Sequence, residues 1–288
     1  MRTAFLGDTN DLLRTRLEAY GWVSASTPPP GKPSTEEAPG GKLAPGEVAE
    51  SGATPAPAGV VPKGMMRIDL HCHSEASHDC GTPLSSFPQR CAARGISVQA
   101  ITDHNEIWGG QKLQEIAQGT GLTVIVGEEV STCDGEIVGL FLKEKIPAEL
   151  SAEETIARIK SQGGLVLLPH GFDPLKRWRL RPEALDRVGN DIDIIETFNA
   201  RISRPRWNRV AMRWAEAHGR PKSAGSDAHT LAQVGDAWVQ TSIRPINGPQ
   251  DLLEALRAGI VMGQWTHPAL AFAYKMWDFA KRRVQGAV

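Results

Sequence analysis

Five short stretches of this 288-residue sequence place histidines and carboxylates directly after apolar runs. RIDLHCHS carries His71 and His73, QAITDHNE carries Asp103 and His104, and VIVGEEVST carries Glu128 and Glu129. LVLLPHGF carries His170, KSAGSDAHT holds Asp227 and His229, and Glu136 opens a further apolar run, EIVGLFL. Taken singly, each has a structural alternative: His104 or Asp227 capping a helix, Glu136 in a solvated turn, His170 satisfied in a core. Jointly those alternatives are weak, because five of the eight histidines occupy such positions. Imidazole mixed with carboxylate is the donor set taken by divalent Zn, Mn or Fe. There are more donors than one ion can use, which implies two or three ions bridged by a carboxylate. Clustered divalent ions lower the pKa of a bound water from about 15.7 towards 7 and neutralise phosphoryl oxygens, so the chemistry indicated is hydrolysis without a separate protein nucleophile.

The runs that carry these residues read as strands. RIDLHC, VQAIT, LTVIVG, EIVGLFL, GLVLLP, DIDIIETF and the PKSAGS region alternate with helical stretches at 83–94, 108–118, 151–162, 181–188, 205–218 and 249–258. Ser151 and Glu154 form a capping box, and Gly163 and Gly219 stand where C-terminal caps belong. Strand–helix alternation predicts parallel strands with crossover helices, here about seven units of a barrel-like α/β fold. Functional residues then gather at the C-terminal ends of the strands. Within 67–73, alternation puts Asp69, His71 and His73 on one side and Ile68, Leu70 and Cys72 on the other.

Composition limits what else the chain does. With 32 basic against 33 acidic residues, a net charge of −1 excludes gripping a polyanion by bulk charge. No stretch approaches the roughly 20 apolar residues of a membrane span, and the first residues lack a secretory apolar region, so the expected location is cytoplasmic. Four cysteines without a C-x-x-C pair read as reduced thiols. Residues 21–64 hold nine of the 20 prolines with eight glycines. Such a segment buries too little to offset its ordering entropy. Residues 1–64 are therefore expected to be a disordered leader, upstream of a natural start at Met65 or Met66, and 65–288 the catalytic domain.

DLHCHS, ITDHNE, GEEVST, LLPHGF and GSDAH, in this order and at these intervals, resemble the motifs of the polymerase and histidinol phosphatase (PHP) family of metal-dependent phosphoesterases. The resemblance covers residues 66–230 and implies a distorted seven-stranded TIM-like (β/α) barrel around a trinuclear site. It implies that His71 and His73 hold a first ion with Glu129 and Asp227, that Glu129 bridges to a second ion also held by His170, and that His104, His229 and Asp79 hold a third. Glu129 is favoured over Glu128 because the family's bridging carboxylate stands second after the glycine, here Gly127. In the loop SEASHDCG, Asp79 has the offset of the ligand in histidinol-phosphatase-like members, with His78 as its competitor. Glu136 stands where many members carry histidine, a change that favours harder ions such as Mn over Zn.

Fixed positive charge for substrate capture is expected after strand ends: Lys176, Arg177 and Arg179 follow LLPHGF, and Arg201, Arg204, Arg206 and Arg209 follow IIETFN. Arg177 and Arg201 lie closest to the strands and are the leading substrate-binding candidates, with Asn199 beside them. The first functional reading is hydrolysis of small phosphate monoesters, nucleotides or phosphorylated metabolites. The alternatives are a 3'-5' exonuclease or phosphodiesterase acting on short oligonucleotides, a non-catalytic metal-stabilised domain binding a phosphorylated ligand, and hydrolysis of a non-phosphate ester. Trp207 and Trp214 read as one buried helix face, and Tyr274 and Trp277 as packing of a C-terminal helix on the barrel.

Overall fold

The apolar runs form nine strands among the described residues, 60–285, of the computed structural model. They are β1 Met65–Asp69, β2 Ile96–Ile101, β3 Thr123–Thr132, β4 Gly135–Leu140, β5 Leu165–Leu168, β6 Ile194–Asn199, β7 Lys222–Gly225, β8 Ala237–Ser242 and β9 Ile260–Gly263. The helices are α1 Phe87–Arg94, α2 Trp108–Ile116, α3 Ala152–Ser161, α4 Pro182–Val188, α5 Pro205–Ala217, α6 Pro249–Ala258 and α7 Pro268–Gln285. The expected capping box at Ser151 and Glu154 is formed, and Gly163 and Gly219 take the left-handed conformation, φ +78° and +61°, just past α3 and α5. Of the leader expected to be disordered, residues 1–59 lie outside the described residues. Its last residues, 60–64, are described and held, contrary to that expectation: buried Arg67 donates to Val60 O at 2.8 Å, and Ile243 N donates to Gly64 O.

One sheet runs in the order β7-β6-β5-β4-β3-β2-β1-β8-β9. It curls until its seventh strand meets its first: Leu70 N donates to Ala224 O at 3.1 Å, and Cys72 bridges Ala228 in parallel. The result is a nearly closed TIM-like barrel of seven strands, as expected, with β8 and β9 as an additional antiparallel extension beyond β1. The strands are not all parallel. β4 is antiparallel to both β3 and β5, because β3 turns directly into β4 through a two-residue hairpin instead of a crossover helix. This places Glu136, near the start of β4, at the same rim as the C-terminal ends of the parallel strands.

The interior is filled from the strands themselves. Ile68, Val98, Ile125, Val138, Leu167, Ile194 and Ala224, one from each barrel strand, share a buried cluster with Leu252 and Leu256 of α6. Each Val, Leu or Ile side chain so buried contributes about 1.5–3 kcal/mol. Cys72 belongs to a second cluster with Phe87 and Cys91 of α1 and Leu113 of α2, away from the histidines that flank it in sequence. In α5, Trp214 is buried and Trp207 half-buried. Trp277, expected to be packed on the barrel, is instead 65 % exposed. The inward positions of α7 are Ala271, Tyr274, Lys275 and Asp278, a 3–4 spacing that excludes residue 277.

The β3–β4 hairpin is tied to two helices by Asp134. Its carboxylate accepts from Arg181 Nη2 at 2.7 Å and from Ala152 N, the first residue of α3, at 3.0 Å, with Arg187 at 3.3 Å. The hydrogen bond from Arg181 holds the carboxyl down at about 2, against an ordinary 3.8. Charge-assisted bonds of this kind contribute about 1.5–3 kcal/mol. Asp134→Asn is therefore expected to lower unfolding free energy by about 1–3 kcal/mol at pH 7 in urea titrations. A depressed carboxyl stabilises fully above its unfolded value and loses that contribution as pH falls through its folded value. The gap between wild type and variant should thus close as pH falls from about 4 to 2. A gap independent of pH over that window contradicts the assignment.

Candidate metal centre

At the rim where β1, β2, β5 and β7 end, the side chains converge. His71, the second residue past β1, sets Nδ1 3.0 Å from Glu196 Oε1; in the neutral ring that donates there, Nε2 is an acceptor aimed at the centre. There Nε2 lies 3.3 Å from both His73 Nε2 and Glu129 Oε2. Glu129 Oε2 also stands 3.3 Å from His104 Nδ1, while its other oxygen is 3.1 Å from His170 Nε2. Asp227 Oδ1 is 3.5 Å from His73 Nε2, and Asp79 Oδ2 is 2.9 Å from His229 Nε2. Glu136 adds Oε1 at 3.6 Å from His104 and Oε2 at 3.8 Å from His170.

These contacts resolve into four overlapping donor groups: His73, Asp79, His104 and His229; His71, Glu129 and His170; His71, His73 and Asp227; and His104, Glu129 and Glu136. Lone-pair nitrogens and carboxylate oxygens facing one another at 3.3 Å have no mutual hydrogen-bonding solution without an added proton or cation. A divalent ion satisfies several at once, so the donor set fits metal. The titration pattern agrees. Burial raises Glu136 to about 9, and burial lowers His229 to about 3 and His104 to about 4. Burial works against charge on His71 and His73 and on Glu129 and Asp227. Their mutual attraction, joined by Lys176 at Asp227, prevails, lifting His73 to about 9 and His71 well above its usual range, and holding the two carboxyls well below theirs. Donors of one largely buried cluster are thus driven apart in pKa, a mark of a functional site.

The backbone is specialised at the same place. His170 and Asp227 have positive φ, 29° and 50°, which non-glycine residues adopt only at an energetic cost. Gly225 is required by close approach: a Cβ there would lie 2.2 Å from Glu196 Oε1 and 2.3 Å from the His71 Cβ.

Comparison with known proteins decides the family. The PHP domain profile matches residues 69–174, and the PHP-associated profile residues 205–261. An uncharacterized protein of Methanocaldococcus jannaschii is 36 % identical over 193 residues, 65 % of this chain and 75 % of the relative. The chain belongs to the PHP family. A 3',5'-nucleoside bisphosphate phosphatase of Chromobacterium violaceum is 33 % identical over 136 residues, 43 % of this chain and 47 % of the relative. A two-domain Bacteroides vulgatus protein containing a predicted PHP-like metal-dependent phosphoesterase has the same fold, with a TM-score of 0.58 at 18 % identity, over 69 % of this chain and 65 % of that one. PHP phosphoesterases are metal-dependent, and the donor groups above lie within the two matched segments.

Within this PHP barrel, all nine residues expected from the sequence to be ligands stand in one or more donor groups. In the loop after β1, Asp79 takes part, whereas His78 is exposed with its ring 5.4 Å from that of His104. Glu128 turns away and accepts from Ile146 N at 2.8 Å. Asp103, beside His104 in sequence, holds Ser74, accepting from its backbone N at 2.6 Å and its Oγ at 2.7 Å. Cys80 is buried against His229 O, and no cysteine enters a donor group.

Among the expected substrate residues, Arg201 reaches the centre, donating to Asp227 O at 3.0 Å and lying against His229 Nδ1. Asn199 is buried and engaged, donating to Glu196 Oε2 at 3.0 Å and to Asp227 Oδ2 at 3.3 Å. Arg177 instead places its guanidinium over Trp178, 4.7 Å from the ring centroid, and its neighbour Lys176 reaches Asp227 Oδ2 at 2.7 Å. Three participants had no role in the sequence reading. Glu196 anchors His71. Ser77 Oγ, 3.3 Å from His73 Nδ1, also accepts from His104 N. Lys275 crosses from α7 to Asp79 Oδ2 at 3.0 Å. Glu196 carried a readable signal, an acid inside the apolar run DIDIIETF; Ser77 and Lys275 carried none.

Proposed function

We propose that the protein hydrolyses phosphate monoesters of small molecules, with His71, His73, Asp79, His104, Glu129, Glu136, His170, Asp227 and His229 holding two or three divalent ions. The observation that carries this reading is the convergence of these nine donors on one buried rim with Lys176 and Arg201 beside them. When bound, such ions act as Lewis acids on a phosphoryl oxygen and lower the pKa of a coordinated water. The chain supplies position and charge. Glu196 and Ser77 fix the rings of His71 and His73 through their Nδ1 atoms, so that the Nε2 atoms point inward. Lys176 and Arg201, both on Asp227, stand within a side chain's swing of the donors and bind the non-bridging oxygens of the transferred group as its charge builds. Burial of the donors keeps bulk water out and strengthens each of these contacts. The relative from Chromobacterium violaceum, a nucleoside bisphosphate phosphatase by name, supports a small phosphorylated substrate.

The test couples metal analysis of chelator-free protein to phosphate release from nucleotides, sugar phosphates, histidinol phosphate and short oligonucleotides with added Mn or Zn. Release from monoesters at two or three ions per chain, abolished by chelator and restored by metal, is expected. Bound metal with no release from any of them overturns the reading.

A further inference from the structure

Helix α7 turns its apolar residues outward. From 268 to 280, every exposed residue among those described is apolar, and Leu270, Phe272 and Met276 are 47, 66 and 49 % exposed. The polar residues of the same stretch, Tyr274, Lys275 and Asp278, are the half-buried ones, and Lys275 is committed to Asp79 Oδ2 at 3.0 Å. A helix on a soluble domain normally buries its apolar face and leaves its polar face wet. Here Ala269, Phe272, Ala273, Met276 and Ala280 follow a 3–4 spacing on the outer side, an apolar stripe about 18 Å long. A continuous stripe of this kind marks a contact surface, because leaving it in water is unfavourable.

Both ends of the stripe are basic. At its start, Pro268 lines one cleft with Arg204, Arg206 and Arg209. These arginines are exposed, and among the described residues none pairs with a carboxylate. Just past Ala280 the helix continues with Lys281, Arg282 and Arg283.

This charge pattern selects the occupant. A second copy related by a two-fold axis would bring the helices together antiparallel or parallel. Antiparallel pairing sets residues 281–283 of one copy against the arginines at the start of the helix in the other, and parallel pairing sets each basic end against its own image. Like charge meets like charge either way, which opposes association. A bilayer surface with anionic headgroups instead meets both ends with opposite charge, and takes the apolar side chains into the boundary between headgroups and acyl chains. The chain's net charge of −1 is no obstacle, because salt confines the attraction to charges within about 10 Å of the surface. The contact is peripheral, since among the described residues no helix is long and apolar enough to cross a membrane.

We propose that α7 docks the protein on an anionic lipid surface. The helix lies in the plane of that surface with Leu270, Phe272 and Met276 inserted, while Arg204, Arg206 and Arg209 at one end and residues 281–283 at the other meet the headgroups. Because Lys275 of the same helix sits on Asp79, docking carries the donor cluster to the surface. This inference is independent of the phosphatase reading.

The test is sedimentation of the full chain with lipid vesicles. Wild type is expected to bind phosphatidylcholine vesicles containing about 30 % phosphatidylserine at least about tenfold more tightly than phosphatidylcholine alone. Phe272→Ser/Met276→Ser should weaken binding to the anionic vesicles by about tenfold or more through lost apolar burial. Arg204→Gln/Arg209→Gln should weaken it by about tenfold and flatten its dependence on salt. All four side chains are exposed, so melting temperatures should match wild type, which separates lost docking from lost fold. Wild type that stays in the supernatant, equal affinity for the two vesicle types, or an apolar double variant that binds like wild type overturns the proposal. Sedimentation velocity without lipid checks the other occupant: a wild-type dimer that Phe272→Ser/Met276→Ser dissociates assigns the stripe to a second copy and equally overturns it.

Discussion

Glutamine in place of Glu129 is expected to lower the metal content of the purified protein by at least one ion per chain and to abolish measurable phosphate release. Glu129 belongs to two of the four donor groups, and its two oxygens face different imidazoles: Oε2 meets His71, His73 and His104, and Oε1 meets His170. Glutamine keeps the shape but removes the charge and turns one oxygen into an N–H donor, the wrong polarity towards a cation. Losing an outer partner of a metal site already lowers affinity or activity by roughly 10–100-fold, and Glu129 is a candidate ligand twice over. The decrease should therefore exceed 100-fold. Elemental analysis read beside turnover separates the outcomes: full metal occupancy in Glu129→Gln removes the residue from the ligand set, whatever happens to activity. Because the side chain is 1 % exposed and the change is isosteric, far-ultraviolet circular dichroism should match wild type.

Much of this centre was legible in the sequence because local order does the positioning. An H-x-H after a strand aims two rings at one point whatever the rest of the chain does, and apolar runs followed by His or Asp mark strand ends directly. The same logic failed where the determining event was not local. The parallel-only reading missed the hairpin that reverses β4, although Glu136 reached the rim all the same, since the start of an antiparallel strand lies where its parallel neighbours end. Arg177 and Lys176 are adjacent, and which of them faces Asp227 depends on a turn fixed by Asp173, whose Oδ1 accepts from Leu175 N at 3.0 Å. Lys275 comes from a helix 196 residues from Asp79, a pairing that no spacing rule foretells.

Glu196 illustrates the same limit from the other side, since its importance lies in the number of partners it serves and not in any motif. Its Oε1 accepts from His71 Nδ1, and its Oε2 accepts from His170 N at 2.7 Å and Asn199 Nδ2 at 3.0 Å, all three buried. It therefore fixes the ring of one candidate ligand, the strained backbone of another, and the amide that steadies Asp227. Glu196→Ala leaves those donors buried without an acceptor, each at about 1–3 kcal/mol, and frees the His71 ring to rotate. The expected result is a roughly 10–100-fold weaker metal affinity by titration, with turnover recovering as metal is added in excess and KM for substrate little changed. Glu196→Gln, which keeps one acceptor oxygen, should fall between wild type and alanine. A positioning residue and a catalytic one part company here. If saturating metal leaves turnover depressed by the same factor, Glu196 touches the reacting groups itself; if metal affinity stays at the wild-type value, the carboxylate is packing alone and the orientation of His71 is set by its backbone.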